Sequence, residues 1–276
     1  FGQPARTSRN TLLTRPIWVL TYGGCYGECA PLPGLSPDWV DEKHWTATLH
    51  EAVRHFNEFA ASAPNFDVLA AAMEPALERY RRDHPSLVFG FESLLKQLSN
   101  NAEHKGETSA TLPVNGLVWM NDVDAMLNEA LTKIEAGFDV IKFKVGALDF
   151  DEECKLIEKI RKKYDAFKLE IRLDANGGFG SDTALEQIQE LHRFEIHSLE
   201  QPVKSGFHEL DRICRFSKID IALDEELIGI HPNKMGNNST TGKALLTWAK
   251  PKYIILKPTL LGGLDMADRW INLASA

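Results

Sequence analysis

The sequence predicts an α/β protein in which a (β/α)-barrel over residues 111–276 follows a separate α+β domain over residues 1–110. Two observations carry this prediction. After Pro113, short β-branched or apolar runs alternate with charged amphipathic stretches, the pattern of parallel β/α units, whereas the preceding third is mixed. Each run from the second onward also ends in Lys, Asp or Glu, which gathers charge at one rim of the sheet.

In the first domain an extended apolar run at 17–21 leads into the turn-rich segment Gly-Glu-Cys-Ala-Pro-Leu-Pro-Gly-Leu-Ser at 27–36. Trp45, Leu49, Val53, Phe56 and Phe59 then recur at spacings near the helical period, and a second helix is expected around 87–98, after Pro85. In the second domain, strands are expected at 114–119, 140–145, 169–174, 197–200, 221–224 and 253–257. Helices are expected between them at 122–136, 150–164, 182–194 and 207–216, with Asp149 and Ser181 as N-caps and Gly137 as a C-cap. A closed barrel of this kind needs eight strands, and only 276 − 257 = 19 residues follow the sixth, nearly all of them one helix. The last barrel strands are therefore expected to be absent from this chain, or else the domain is an open sheet.

Composition narrows the function. With 43% hydrophobic and 25% charged residues, the chain reads as a globular protein able to bury a sizeable core. Lys and Arg are scattered and outnumbered by Asp and Glu, 31 to 39, so the net charge of -8 argues against a nucleic-acid partner. No apolar stretch approaches a membrane span and the first residues carry no basic-then-apolar signal pattern, so a cytoplasmic location is expected. Cys25, Cys29, Cys154 and Cys214 are too few for a disulfide framework and lack the second pair of a zinc site. His50 and His55 are five apart, not the four that would place a zinc pair on one helix face.

The strand ends carry the chemistry. Lys142 and Lys144, two apart, share a face of one strand; Asp174 with Asn176, Glu200, and Asp224 with Glu225 end the next three, and Lys257 ends the sixth. The three acids are spaced 200 − 174 = 26 and 224 − 200 = 24 residues apart, about one β/α unit each, so neighbouring strands bring them side by side. A single acid at a strand end is more often a solvated rim residue or a helix cap, and Asp-Ala-Asn-Gly-Gly also reads as a turn; five such sites in order are what point to a centre. Three hard oxygen donors without His or Cys suit Mg²⁺, with Mn²⁺ as a substitute ion, and such an ion holds a substrate carboxylate. Removing a proton beside that carboxylate then needs a base, for which Lys144 is placed, with Lys142 beside it and Lys257 across the pocket.

Lys-Phe-Lys at 142–144, Asp-Ala-Asn at 174–176, Glu-Gln-Pro at 200–202, Asp-Glu at 224–225 and Lys-Pro at 257–258 resemble, in order and spacing, the muconate-lactonizing subgroup of the enolase superfamily. The 27–36 segment and Leu-Lys-Pro-Thr-Leu-Leu-Gly-Gly at 256–263 are similar to the o-succinylbenzoate synthases in particular. The resemblance implies a barrel of the modified TIM type with an N-terminal α+β capping domain. It also implies a hydro-lyase that dehydrates 2-succinyl-6-hydroxy-2,4-cyclohexadiene-1-carboxylate in menaquinone synthesis. By the same resemblance, Asp174, Glu200 and Asp224 hold Mg²⁺, Asn176 and Glu225 support them from outside, and Lys144 is base and then acid. Lys257 stabilises an enediolate from the other face, and Arg9 lies in a loop closing over the small carboxylate substrate. The same ion and lysine pair would also serve an N-succinylamino acid racemase or dipeptide epimerase, with muconate lactonization third. A catalytically silent barrel scaffold is the non-enzymatic alternative, against which the retained acids and lysines stand.

Overall fold

A computed structural model describes residues 5–6, 11–102, 111–206, 208–234 and 240–276. Arg9, and Phe207 at the expected start of a helix, lie outside the described residues. In chain order the elements begin with β1 (Ala5–Arg6), β2 (Thr11–Leu12), β3 (Trp18–Tyr22), β4 (Cys25–Cys29), α1 (Glu42–Ser62), α2 (Phe66–Tyr80) and α3 (Pro85–Ala102). They continue through β5 (Gly116–Val118), α4 (Val123–Glu135), β6 (Val140–Lys144), α5 (Phe150–Lys163), β7 (Glu170–Asp174) and α6 (Ala184–Leu191). The remainder are β8 (Ser198–Glu200), α7 (Leu210–Phe216), β9 (Asp220–Leu223), α8 (Gly242–Ala249), β10 (Tyr253–Ile254), α9 (Pro258–Leu261) and α10 (Leu264–Ala274). No helix among the described residues is long and apolar enough to cross a membrane.

The chain divides into two compact units. One comprises Phe1–Thr14, Ala110–Leu227 and Ala244–Ile255, the other Arg15–Ser109, Ile228–Lys243 and Leu256–Ala276.

The first unit is built on a six-stranded sheet in which β5 to β10 lie in sequence order, every pair parallel. Each crossover from β5 to β9 carries one helix, the β/α succession that the alternating pattern predicts. Residues 141, 143, 171, 173, 199, 221 and 223 are apolar and buried because they point away from the polar face; Ile141 lies against Gly116 near Lys133 of α4. Burying such a side chain contributes about 1.5–3 kcal/mol. α5 shows why its sequence is helical: Asp149 accepts from the Asp151 amide at 3.0 Å, acids fill its first turn and Arg161, Lys162 and Lys163 its last, complementing the helix dipole. Gly137, with φ of 98°, takes the position after Ala136, which is the C-cap of α4.

Two expectations need correction in this unit. Ser181 does not cap α6: the chain makes one more turn, closed by the Thr183 and Ala184 amides on the Gly180 carbonyl, and the helix starts at Ala184. The sixth strand ends at Ile254 rather than 257, since Pro258 at the first turn of α9 makes Lys257 a helix N-cap.

The second unit centres on α3. Trp45, Phe56 and Phe91 are fully or nearly buried, with Phe56 edge-on to Tyr22 at 5.1 Å between centroids. β3 and β4 form an antiparallel hairpin, and β4 lies directly on α3: a Cβ at Gly27 would stand 1.9 Å from the Gly90 carbonyl oxygen. α9 and α10 join this unit through Arg81, only 3% exposed, which binds Glu74, Glu78 and Glu92 and donates to the Gly262 carbonyl at 2.9 Å. Glu92 in turn accepts from the first amides of α10, Leu264 and Asp265, capping a helix whose own Gly263 offers no side chain.

Candidate active site at the sheet rim

Register builds the site. Lys144 on β6 pairs with Asp174 on β7, Asp174 pairs with Glu200 on β8, and Glu200 pairs with Ala222 on β9. Asp224 lies two residues beyond Ala222, just past the end of β9, and Lys142 lies two before Lys144, on the same face. The three acids are 0%, 4% and 2% exposed, so the chain holds three carboxylates in a dry rim where isolated charges are costly.

Two ammonium groups offset that cost. Lys144 Nζ donates to Asp174 Oδ2 at 2.5 Å and to Asn176 Oδ1 at 2.8 Å. Lys142 Nζ lies 2.9 Å from the same Asp174 oxygen and also donates to Glu200 Oε2, bridging the two acids. Asn176 sits at φ 46° in the turn after β7, its amide on Asp174 Oδ1 at 3.1 Å and its Nδ2 donating to Glu225 Oε1 at 3.0 Å. The structure thus brings together Lys142, Lys144, Asp174, Asn176, Glu200 and Glu225, with Asp224 close enough to act on Glu200 electrostatically. Lys257 belongs to the other unit, at the N-cap of α9.

The charges are unbalanced in an informative way. Burial pushes the Glu200 carboxyl up to about 8; Asp174 reinforces this, Lys142 opposes it and Asp224 adds to it. Burial also works to raise Asp174, but Lys144 and then Lys142 overcome it and hold that carboxyl down to about 2. The two carboxyls interact, so their titration steps belong to the pair and not to either residue. Burial disfavours the Lys142 ammonium, yet Asp174 and Glu200 raise its pKa and keep it charged. Among the described residues no three His, Cys, Asp or Glu side chains are grouped closely enough to hold a metal, and lysine ammonium groups lie among these acids. The donor set still fits a hard divalent cation. It offers three buried carboxylates whose mutual repulsion, already partly met by lysine cations, would be relieved by a doubly charged ion.

One supporting residue was not legible in the sequence. Glu153, 3% exposed on α5, accepts through Oε1 from the amides of Gly146, Ala147 and Leu148 at 2.7, 3.2 and 3.2 Å, tying down the loop that follows Lys144. Its only signal, an acid in a helix's first turn, is shared with its neighbours Asp151 and Glu152.

Residues 125–235 match the family described as Enolase C-terminal domain-like. The o-succinylbenzoate synthase of Desulfotalea psychrophila is 34% identical over 302 residues, covering 99% of this chain and 80% of that protein. The solved structure of MenC from Desulfotalea psychrophila superposes with a TM-score of 0.75 at 31% identity, covering 95% of this chain and 78% of that one. The dipeptide epimerase of Cytophaga hutchinsonii, complexed with Mg and the dipeptide D-Ala-L-Val, has a TM-score of 0.71 at 19% identity, covering 99% and 73% respectively, a likeness of fold alone.

Proposed function

Since the chain belongs to the enolase superfamily, and within it to the o-succinylbenzoate synthase family, we propose that it is a Mg²⁺-dependent carbon–oxygen lyase. Its reaction is the dehydration of 2-succinyl-6-hydroxy-2,4-cyclohexadiene-1-carboxylate to o-succinylbenzoate, a step of menaquinone synthesis. The observation that carries this reading is the row Lys144, Asp174, Glu200 across three paired strands, with Asp224 at the end of the fourth. The four cysteines are too few for a disulfide framework, in keeping with a cytoplasmic setting.

Asp174, Glu200 and Asp224 would hold the ion, which when bound supplies positive charge to the substrate carboxylate and to the enediolate formed from it. Lys144, released from Asp174 as a neutral amine, its ammonium proton having passed to solvent, takes the proton from the ring carbon beside the carboxylate, leaving the electron pair on the enediolate. The same amine, now an ammonium, returns that proton to the departing hydroxyl, so that water leaves and the ring becomes aromatic. Asn176 Oδ1 receives the Lys144 ammonium and is itself held by Glu225, which orients the base. Lys142 stays charged between Asp174 and Glu200 and limits their repulsion. For Lys257, the N-cap of α9, the family resemblance alone supports a role as a cation that stabilises the enediolate.

The test is an assay with the cyclohexadiene substrate and, separately, with N-succinylamino acids, each with Mg²⁺ and with a chelator. Aromatic product is expected with the first substrate, lost on chelation and restored by Mg²⁺. Racemisation of N-succinylamino acids without dehydration of the cyclohexadiene would replace the lyase reading by the racemase one.

A further inference from the structure

Glu200 is followed by Gln201, whose backbone is in the left-handed region at φ 38°, a conformation disfavoured for a residue with a side chain, and whose side chain is entirely buried. Its backbone amide donates to the Ala222 carbonyl of β9 at 2.8 Å, and its carbonyl accepts from the Gly177 amide, in the turn after Asp174, at 2.7 Å. The side chain reaches further along the rim: Oε1 accepts from the Asp224 amide at 3.1 Å and from the Glu226 amide at 3.3 Å. Nε2 donates to the Val203 carbonyl at 3.0 Å and lies 3.4 Å from Glu226 Oε2, a carboxylate that also accepts from the Gly206 amide. One residue therefore bonds to the turn after Asp174, adjoins Glu200 and bonds to the backbone of Asp224.

We propose that Gln201 is the positioning residue of the site, fixing Asp224 in register with Asp174 and Glu200. The reason lies in where the strand ends. Leu223 is the last residue of β9, so the Asp224 amide needs a new partner at a buried position, and the chain beyond it turns into a single 3₁₀ turn with the Leu227 amide on the Asp224 carbonyl at 3.0 Å. The Gln201 amide group supplies that partner and a second one for Glu226. Only a side chain that both accepts and donates satisfies Asp224, Glu226 and Val203 together; a carboxylate in its place would face Glu226. Removing it would leave two amides unpaired beneath a carboxylate whose placement governs ion binding. This inference rests on the reading of Asp174, Glu200 and Asp224 as ligands of a divalent cation.

The test uses the whole chain as wild type, Gln201→Met and Gln201→Glu, with two readouts. Amide exchange at Asp224 and Glu226 is followed by NMR without metal, and Mg²⁺ affinity is measured by calorimetric titration. In a folded Gln201→Met both amides are expected to exchange at least about tenfold faster, and Mg²⁺ to bind about tenfold more weakly. Gln201→Glu keeps the acceptor and loses the donor, so both amides should stay protected and Mg²⁺ affinity should lie between the other two. A folded Gln201→Met with unchanged exchange and unchanged affinity overturns the proposal. Should that variant not fold, free exchange of both amides in folded Gln201→Glu overturns it, and retained protection supports it. If wild type binds no Mg²⁺ while Gln201→Met still exposes the two amides, the cation reading fails and the positioning of Asp224 by Gln201 stands.

Discussion

Lys144 and Asp174 face each other on adjacent strands, and the amine proposed as base donates to the acid proposed as ligand. Breaking one side of a buried pair usually leaves a costly unpaired charge, here the Asp174 carboxylate. Lys144→Ala should therefore do two things at once. Turnover should fall by about 10³-fold or more through loss of the base, while Mg²⁺ binding by calorimetry should be as tight as in wild type or tighter, because a competing cation has gone. A variant that keeps substantial turnover, or loses Mg²⁺ binding along with it, removes Lys144 from the role of base. The acids at 174, 200 and 224 were legible from spacing alone, since one β/α unit separates each from the next. The bridging of Lys142 between Asp174 and Glu200 was not, because side-chain reach is not encoded in strand spacing. Gln201 was not legible as a support either: its role depends on a left-handed backbone that nothing in a Glu-Gln-Pro triplet announces.

Legibility differs among the elements for reasons of chemistry. The β5–β9 strands are short apolar runs bounded by polar residues, so period and boundary agree. α2 escaped because Pro75 lies inside it, although Leu69, Met73 and Leu77 form a buried stripe and Asn65 caps it through the Val68 amide at 3.0 Å. β4 escaped because its Gly27 reads as a turn, whereas the glycine is there to let the strand approach α3. The close approach is testable. Gly27→Ala places a methyl 1.9 Å from the Gly90 carbonyl, backbone that cannot step aside like a side chain. Overpacking of this kind costs about 1–3 kcal/mol. Urea denaturation should show that loss, and an unchanged midpoint would mean that β4 does not lie against α3 as described.

For the whole molecule, the net charge of -8 says little about the site, where acids and lysines are concentrated far beyond the average. Six consecutive parallel strands are read from the sequence and seen in the structure, and the chain as a whole covers 78% of MenC from Desulfotalea psychrophila. What could not be read from the chain is the division into units: α9 and α10 join α3 through Arg81 and Glu92, contacts 172 residues apart or more in sequence. Within the first unit, the proposed chemistry requires a divalent cation among the three buried acids that Lys142 and Lys144 adjoin. A crystal structure of the whole chain grown in Mg²⁺ measures this directly. The expected result is an ion with oxygen ligands from Asp174, Glu200 and Asp224 at about 2.0–2.1 Å, and Lys144 withdrawn from Asp174. Mg²⁺ bound elsewhere, with Lys142 and Lys144 still paired to the acids, would contradict it.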